Sequence, residues 1–159
     1  MNLRIIAVGR LKESFYREAE GEFLKRLSRY GCAEVVEVAD EKAPQRLSAA
    51  DRQRVLEAEG ERIQSRLRQG ARLVALCIEG RAMTSEQLAA RLADWALTGE
   101  SRVDLVIGGS LGLAPRIKSQ AELMLSFSPM TFFHQIFRIM LLEQLYRAAK
   151  INAGEPYHK

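Results

Sequence analysis

Cysteine and histidine are scarce: two of each stand among 159 residues. Cys32 and Cys77 are far apart, and neither a Cys-x-x-Cys pair nor a His-rich tract accompanies them, which excludes the common zinc-site spacings. No metal is expected, and both thiols are expected reduced and inside the core, where free cysteine usually lies. The dinucleotide signature G-x-G-x-x-G and the P-loop G-x-x-x-x-G-K-[ST] are also missing, so neither of those phosphate cradles is encoded. Long apolar runs are absent as well. The opening segment, Met1-Asn2-Leu3-Arg4-Ile5-Ile6-Ala7-Val8, stays apolar for only a few residues before Gly9, too short for a signal peptide's apolar region or a membrane span. A cytoplasmic protein without a membrane partner is therefore expected.

What is present fits one globular domain spanning residues 1–159, close to the average domain length. Apolar residues make up 47% and charged residues 28%, which places the chain outside the disordered class. Net charge is +4 and the sequence pI about 9.3, the level at which nucleic-acid binding enters consideration. Lys and Arg exceed Asp and Glu in the first half and in the last segment, while the middle is slightly acidic. Charge alone is equally compatible with ordinary solvated helix faces.

Short runs rich in Val, Ile and Leu recur at Leu3–Val8, Glu34–Ala39, Ala71–Ile78 and Val103–Ile107, with a weaker one at Leu123–Phe127; these read as strands. Helical patterns lie between and after them, at Ser14–Arg29, Ser48–Gln69, Ser85–Leu97 and Thr131–Lys150, each opened by a Ser or Thr able to cap a first turn. The alternation predicts an α/β fold whose mainly parallel sheet is sandwiched by helices, because parallel strands need crossover helices. Ligands of such sheets bind at the carboxyl ends of the strands. The loops after Ile78, Ile107 and Phe127 are the places to search. The stretch Asp40–Leu47, containing Pro44, reads as a surface loop.

The strand Val103–Ile107 runs into Gly108-Gly109-Ser110-Leu111-Gly112, with Pro115 at a plausible helix start. Such glycines permit a sharp turn and close approach of N–H groups to a ligand, but a purely structural strand-to-helix turn would look the same. The loop Leu125-Ser126-Phe127-Ser128-Pro129-Met130-Thr131-Phe132-Phe133-His134 offers backbone groups for a base edge and an apolar wall for its face. Core packing is the better reading of its aromatics taken alone, with Thr131 capping the next helix. That helix, Gln135–Lys150, is apolar on more than one side, as expected of a helix buried against more than one neighbour.

Taken together and in order, these pieces resemble a known family. Ile107-Gly108-Gly109-Ser110-x-Gly112, Leu125-Ser126-Phe127-Ser128-x-Met130-Thr131, and His134-Gln135-x-x-Arg138-x-x-Leu141-x-Glu143-Gln144-x-Tyr146-Arg147-Ala148, closing on Tyr157-His158-Lys159, are similar to the pseudouridine N3-methyltransferases of 23S rRNA in the knotted SPOUT superfamily. The resemblance extends over the chain through Ala7-Val8-Gly9, Glu41-Lys42-Ala43-Pro44, Leu76-x-x-x-Gly80 and Ser85-Glu86. Two positions depart from the pattern: Cys77 follows Leu76 where relatives carry an acid, with Glu79 the nearest acid, and Phe133 precedes His134 where many have proline.

The resemblance implies a C-terminal trefoil knot, an exception to the rule against threading, and S-adenosylmethionine held by Leu76, Gly108, Phe127, Ser128, Pro129, Met130, Thr131 and Phe132. It also implies a homodimer in which one subunit's tail approaches the other's donor site, and a hairpin loop of 23S rRNA within the assembled ribosome as substrate. Attack by N3 of a pseudouridine needs its proton removed or the resulting anion stabilised. His158, Tyr157 and Arg138 are the candidate catalytic residues: histidine has the ordinary pKa of a base, and Arg138 or Lys159 could steady negative charge or hold phosphate. His134 could equally be bonded locally or shape the donor loop. A SPOUT methyltransferase acting on another RNA, and a non-catalytic ribosome-binding or assembly factor of the same fold, remain as alternatives.

Overall fold

The computed structural model describes residues 1–158. Five strands, β1 (Asn2–Val8), β2 (Cys32–Val38), β3 (Arg72–Ala82), β4 (Arg102–Ile107) and β5 (Leu123–Ser126), form one sheet in the order β2-β1-β4-β3-β5. Every pairing is parallel. The α/β architecture expected from the alternation is thus present, with α1 (Ser14–Leu27), α2 (Ala49–Gln64), α3 (Ser85–Leu97), α4 (Pro115–Gln120) and α5 (His134–Asn152) as its covering helices.

The period-2 alternation of β1 shows why both faces are covered. Leu3, Ile5 and Ala7 join a core with Leu27, Leu88, Trp95, Leu141 and Leu145, from α1, α3 and α5. Ile6 and Val8 point the other way, into a second core with Ile63 of α2 and Ile117 of α4. Successive strand side chains alternate faces, so the apolar run Ile5–Val8 that follows Arg4 must be buried on both. One polar residue interrupts β4: Asp104, 1% exposed. It accepts hydrogen bonds from Arg68 N and Nε, both at 2.7 Å, while Arg68 Nη2 donates to the Asn2 and Val103 carbonyls.

Helix starts differ from the expected caps in an instructive way. Ser48 does cap α2 through a reciprocal box with Asp51, but the cap of α3 is Thr84, paired with Gln87, one residue before the expected Ser85. Ser14 and Thr131 cap nothing: α1 and α5 begin after Glu13 and Phe133, neither of which makes a side-chain cap bond. The position of α5 is set by its apolar faces packing against α1 and α3, since tertiary contacts stabilise a helix more than its cap does. Cys32 is a further correction. It is exposed, as the first residue of edge strand β2.

Strand β3 runs past its expected end. Its pairing with β5 breaks register between Leu76 and Arg81, both of which lie opposite Leu125, so residues 77–80 are thrown out at the carboxyl edge. Gly80 makes this possible: a Cβ there would stand 2.7 Å from the carbonyl carbons of Met124 and Leu125.

Candidate functional site

A cavity of about 320 Å³ opens where the carboxyl ends of β3, β4 and β5 meet, within the size range of small-molecule sites. Its floor is the turn after β4. There Gly112 has φ +86°, its N–H donates to the Gly109 carbonyl at 3.0 Å, and a Cβ on Gly108 would collide with the Gly112 carbonyl. The turn must be glycine to fold this tightly, and it leaves backbone rather than side chain facing the cavity.

The loop after β5 forms one wall. The Ser126 hydroxyl donates to the Ser128 carbonyl at 3.2 Å, and the Ser128 hydroxyl accepts from Met130 N at 3.0 Å. Phe127 and Phe132 rest on Phe137 of α5, with ring centroids 4.9 and 6.1 Å apart. Those rings are at once helix packing and cavity wall, so packing in the core does not keep this segment from the cavity. Leu76, Gly108, Phe127, Ser128, Met130, Thr131 and Phe132 all line the cavity; Pro129 sits in the same loop without doing so.

The protruding residues 77–80 supply the opposite side. Cys77 lines the cavity with its thiol pKa pushed up, first by burial and then by the negative Glu79. Glu79, the nearest acid in the sequence, also lines it and pairs with Lys118 Nζ at 2.5 Å, which lowers the carboxyl's pKa. An acid is therefore present at the cavity edge, shifted two positions along the bulge and neutralised by a lysine of α4. No spacing rule marks Lys118 beforehand.

His134, at the first turn of α5, completes the rim beside Gly9. Its pKa is lowered by burial and by the charge of Arg138, which disfavours the charged ring. Behind the glycine turn lies Glu59 of α2, 4% exposed. Its Oε1 accepts from Glu41 N at 3.1 Å, its Oε2 has no partner among the described residues, and a Cβ on Gly109 would stand 3.0 Å from both oxygens. Burial raises this carboxyl's pKa. Its place at helical spacing between the buried Val55 and Ile63 was the one signal in the sequence that could have marked Glu59.

The expected catalytic group does not assemble at this cavity within one chain. Arg138 is 1% exposed and is absent from the cavity lining. Its guanidinium donates to Glu37 at 2.7 Å, Glu20 at 3.2 Å and the Gly9 carbonyl at 3.0 Å; those partners, not a ligand, occupy it. Tyr157 and His158 lie along α5 and α3 instead. The Tyr157 hydroxyl donates to Glu143 at 3.1 Å, its ring lies under Arg147 at 4.7 Å, and it meets Tyr146 edge-on at 4.9 Å. Burial and the bond to Glu143 raise its pKa. His158 Nε2 is 2.6 Å from Glu86 and Nδ1 is 3.4 Å from Arg147. Lys159 lies outside the described residues.

A second, apolar hollow runs between α1, α3 and α5, lined by Tyr16, Phe23, Leu88, Ile136, Ile139 and Met140, with Ile136 41% exposed. No group of residues suited to hold a metal occurs among the described residues, and no described helix is long and apolar enough to cross a membrane.

The family model described as "Predicted SPOUT methyltransferase" matches residues 1–158. Proteins named ribosomal RNA large subunit methyltransferase H are similar over all of this chain and all of their own length: 57% identical in Bifidobacterium animalis subsp. lactis, 53% in Bifidobacterium adolescentis and 48% in Acetivibrio thermocellus.

Proposed function

The chain belongs to the SPOUT methyltransferase family, and from that premise we propose that it methylates N3 of a pseudouridine in a hairpin loop of 23S rRNA on the assembled ribosome, with S-adenosylmethionine as donor. The observation that carries this reading is the cavity itself: the glycine turn and the 127–132 loop expected to hold the donor converge there from two different strand ends. The relatives' names point to large-subunit rRNA, and a ribosomal substrate implies a reaction in the cytoplasm.

The cavity suits the donor chemically. The Gly108–Gly112 turn and the Phe127–Phe132 loop present backbone polar groups for its base and amino-acid ends, with Leu76, Phe127 and Phe132 as apolar walls. When bound, S-adenosylmethionine supplies a sulfonium methyl group already activated for in-line displacement. The protein's own task is to orient the nucleotide and manage its N3 proton.

His158 and Tyr157 remain the proposed catalytic pair, in trans. In their own chain they sit on Glu86, Glu143 and Arg147, away from that chain's cavity. A homodimer formed through the hollow of α1, α3 and α5 would bring one subunit's tail to the other's cavity. The exposed apolar surface of Ile136 supports that contact. Arg138 takes a positioning role, holding the Gly9 carbonyl next to His134. The C-terminal knot belongs to the same proposal, supported by β5 pairing on the far side of β3 from β4 and by α5 returning between α1 and α3.

Removing residues 157–159 tests the assignment: methylation of ribosomes should be lost while donor affinity by calorimetry stays within about twofold. Normal methylation by the truncated protein overturns the tail's role. Absence of any heat with the intact protein and donor would instead favour an assembly factor. Mass spectrometry of rRNA from cells lacking the protein should show an unmethylated pseudouridine in the large subunit.

A further inference from the structure

Among the described residues, eleven Lys and Arg side chains are tied to carboxylates: Arg4, Arg26, Arg54, Arg62, Arg68, Arg72, Arg116, Lys118, Arg138, Arg147 and Lys150. Of the remaining described cations, four are grouped at the carboxyl ends of β1 and β2. Four exposed cations, Arg10, Lys12, Lys42 and Arg46, have no ion pair among the described residues.

The loops that carry them are nevertheless pinned. Arg138 donates to the Gly9 carbonyl, Arg17 to the Leu11 and Lys12 carbonyls at 3.0 and 2.8 Å, and Lys12 N to Gln135 Oε1 at 2.9 Å. In the neighbouring loop Glu41 N donates to Glu59, Arg62 donates to the Ala39 carbonyl at 3.0 Å, and Arg54 and Arg62 both hold the Glu41 carboxylate. Much of each loop's backbone, together with the Glu41 carboxylate, is bonded inside the protein, while the four cations face water with two exposed acids, Glu13 and Asp40, beside them.

Strand β1 pairs with β2 on one side and β4 on the other, with Val8 opposite Val38 and Ala7 opposite Ile107. Both cationic loops therefore emerge on the same edge of the sheet as the Gly108 turn, with His134 standing between Gly9 and the cavity. On the rim, Phe133 and Met130 are 53% and 70% exposed, and the Phe133 ring lies 5.0 Å from that of His134. Fixed cations beside exposed aromatic surface at a cavity mouth form the combination that grips phosphates and stacks an unpaired base.

We propose that Arg10, Lys12, Lys42 and Arg46 form the RNA-backbone docking surface, and that Phe133 is the platform against which the substrate base rests as it enters the cavity. This rests on the RNA methyltransferase reading and adds to it where the strand lies: across the β1 and β2 ends, on the side of the cavity away from β5. It requires no co-reactant, and all four side chains are free of ion pairs among the described residues, so replacing them leaves those bonds intact.

The test compares the fourfold variant R10Q/K12Q/K42Q/R46Q with a control, K25Q/R29Q/R66Q/R102Q, which removes as many unpaired cations from elsewhere on the surface. Each cation that neutralises a single-stranded phosphate contributes about 0.7 to the slope of log affinity against log salt. The first variant should therefore bind a single-stranded RNA hairpin loop with a slope smaller by roughly 2 to 3, and its KM for ribosomes should rise at least about tenfold. The control should change neither, and donor affinity should be unchanged in both. F133A should raise KM for ribosomes while leaving the salt slope unchanged. Equal effects of the two fourfold variants, or an unaltered slope in the first, overturn the docking surface. RNA binding is read directly, so the docking surface stands or falls on it even if the intact protein transfers no methyl group, an outcome that would count against the enzymatic reading alone.

Discussion

At the scale of single residues, two buried carboxylates behave in opposite ways. Asp104 has a full set of donors from Arg68, so removing it strands a guanidinium that is itself only 13% exposed. Breaking such a pair typically costs about 3 kcal/mol or more, and urea denaturation of Asp104→Ala should show a loss of that order. Glu59 has one donor and one unpartnered oxygen among the described residues, and burial raises its pKa in the folded state. A raised carboxyl pKa means the folded protein keeps this proton to higher pH than the unfolded chain. Its favourable contribution is complete below the unfolded pKa of about 4.3 and is lost as pH rises through the folded pKa. Glu59→Gln should match the parent protein near pH 4 and be the more stable at pH 8. A parent and variant with identical pH slopes in urea titrations would rule this out. Neither partner set is written in local sequence, because Arg68 and Asp104 are 36 residues apart and meet only when the sheet forms.

At the scale of elements, the turn after β4 and the bulge in β3 make the cavity. Gly108 has no room for a Cβ against the Gly112 carbonyl, so Gly108→Ala must open the turn. Overpacking of this kind costs about 1–3 kcal/mol; we expect donor affinity to fall at least about tenfold in calorimetry while the far-UV circular dichroism keeps its helix and sheet content. An unchanged affinity would mean that the turn does not shape the donor site. The glycines were legible as a turn, and the strand–helix alternation gave the sheet's carboxyl edge as the place to look. The bulge was not legible. Ala71–Ile78 reads as one uninterrupted strand, and only the closeness of Gly80 to β5 explains how residues 77–80 come to stand at the cavity with Glu79 among them. The start of α5 was likewise hidden, since Thr131 has the chemistry of a cap but packing of the helix sets its first residue at His134.

At the scale of the whole molecule, the separation of the tail from its own chain's cavity makes a second copy part of the proposed chemistry. Ile136 and Met140 border the apolar hollow between α1, α3 and α5. Ile136→Glu combined with Met140→Glu should give a monomer in sedimentation equilibrium, and methylation should fall by at least about a hundredfold while the monomer still binds donor. A dimer that persists would move the interface elsewhere; an active monomer would remove the need for a partner's tail.

The sequence by itself determined the layered α/β class, the strand ends where a ligand would sit and the segments that line the cavity, because these follow from local periodicity, from glycine's backbone freedom and from motifs contiguous along the chain. The tertiary structure decided that Arg138 holds the Gly9–Lys12 loop, that Cys32 faces solvent and that Glu59 lies behind the glycine turn. It also decided which cations stay unpaired. Each of these depends on which distant side chains come within hydrogen-bonding distance, and that is set by the order in which parallel strands lie side by side, a quantity that no stretch of sequence carries locally.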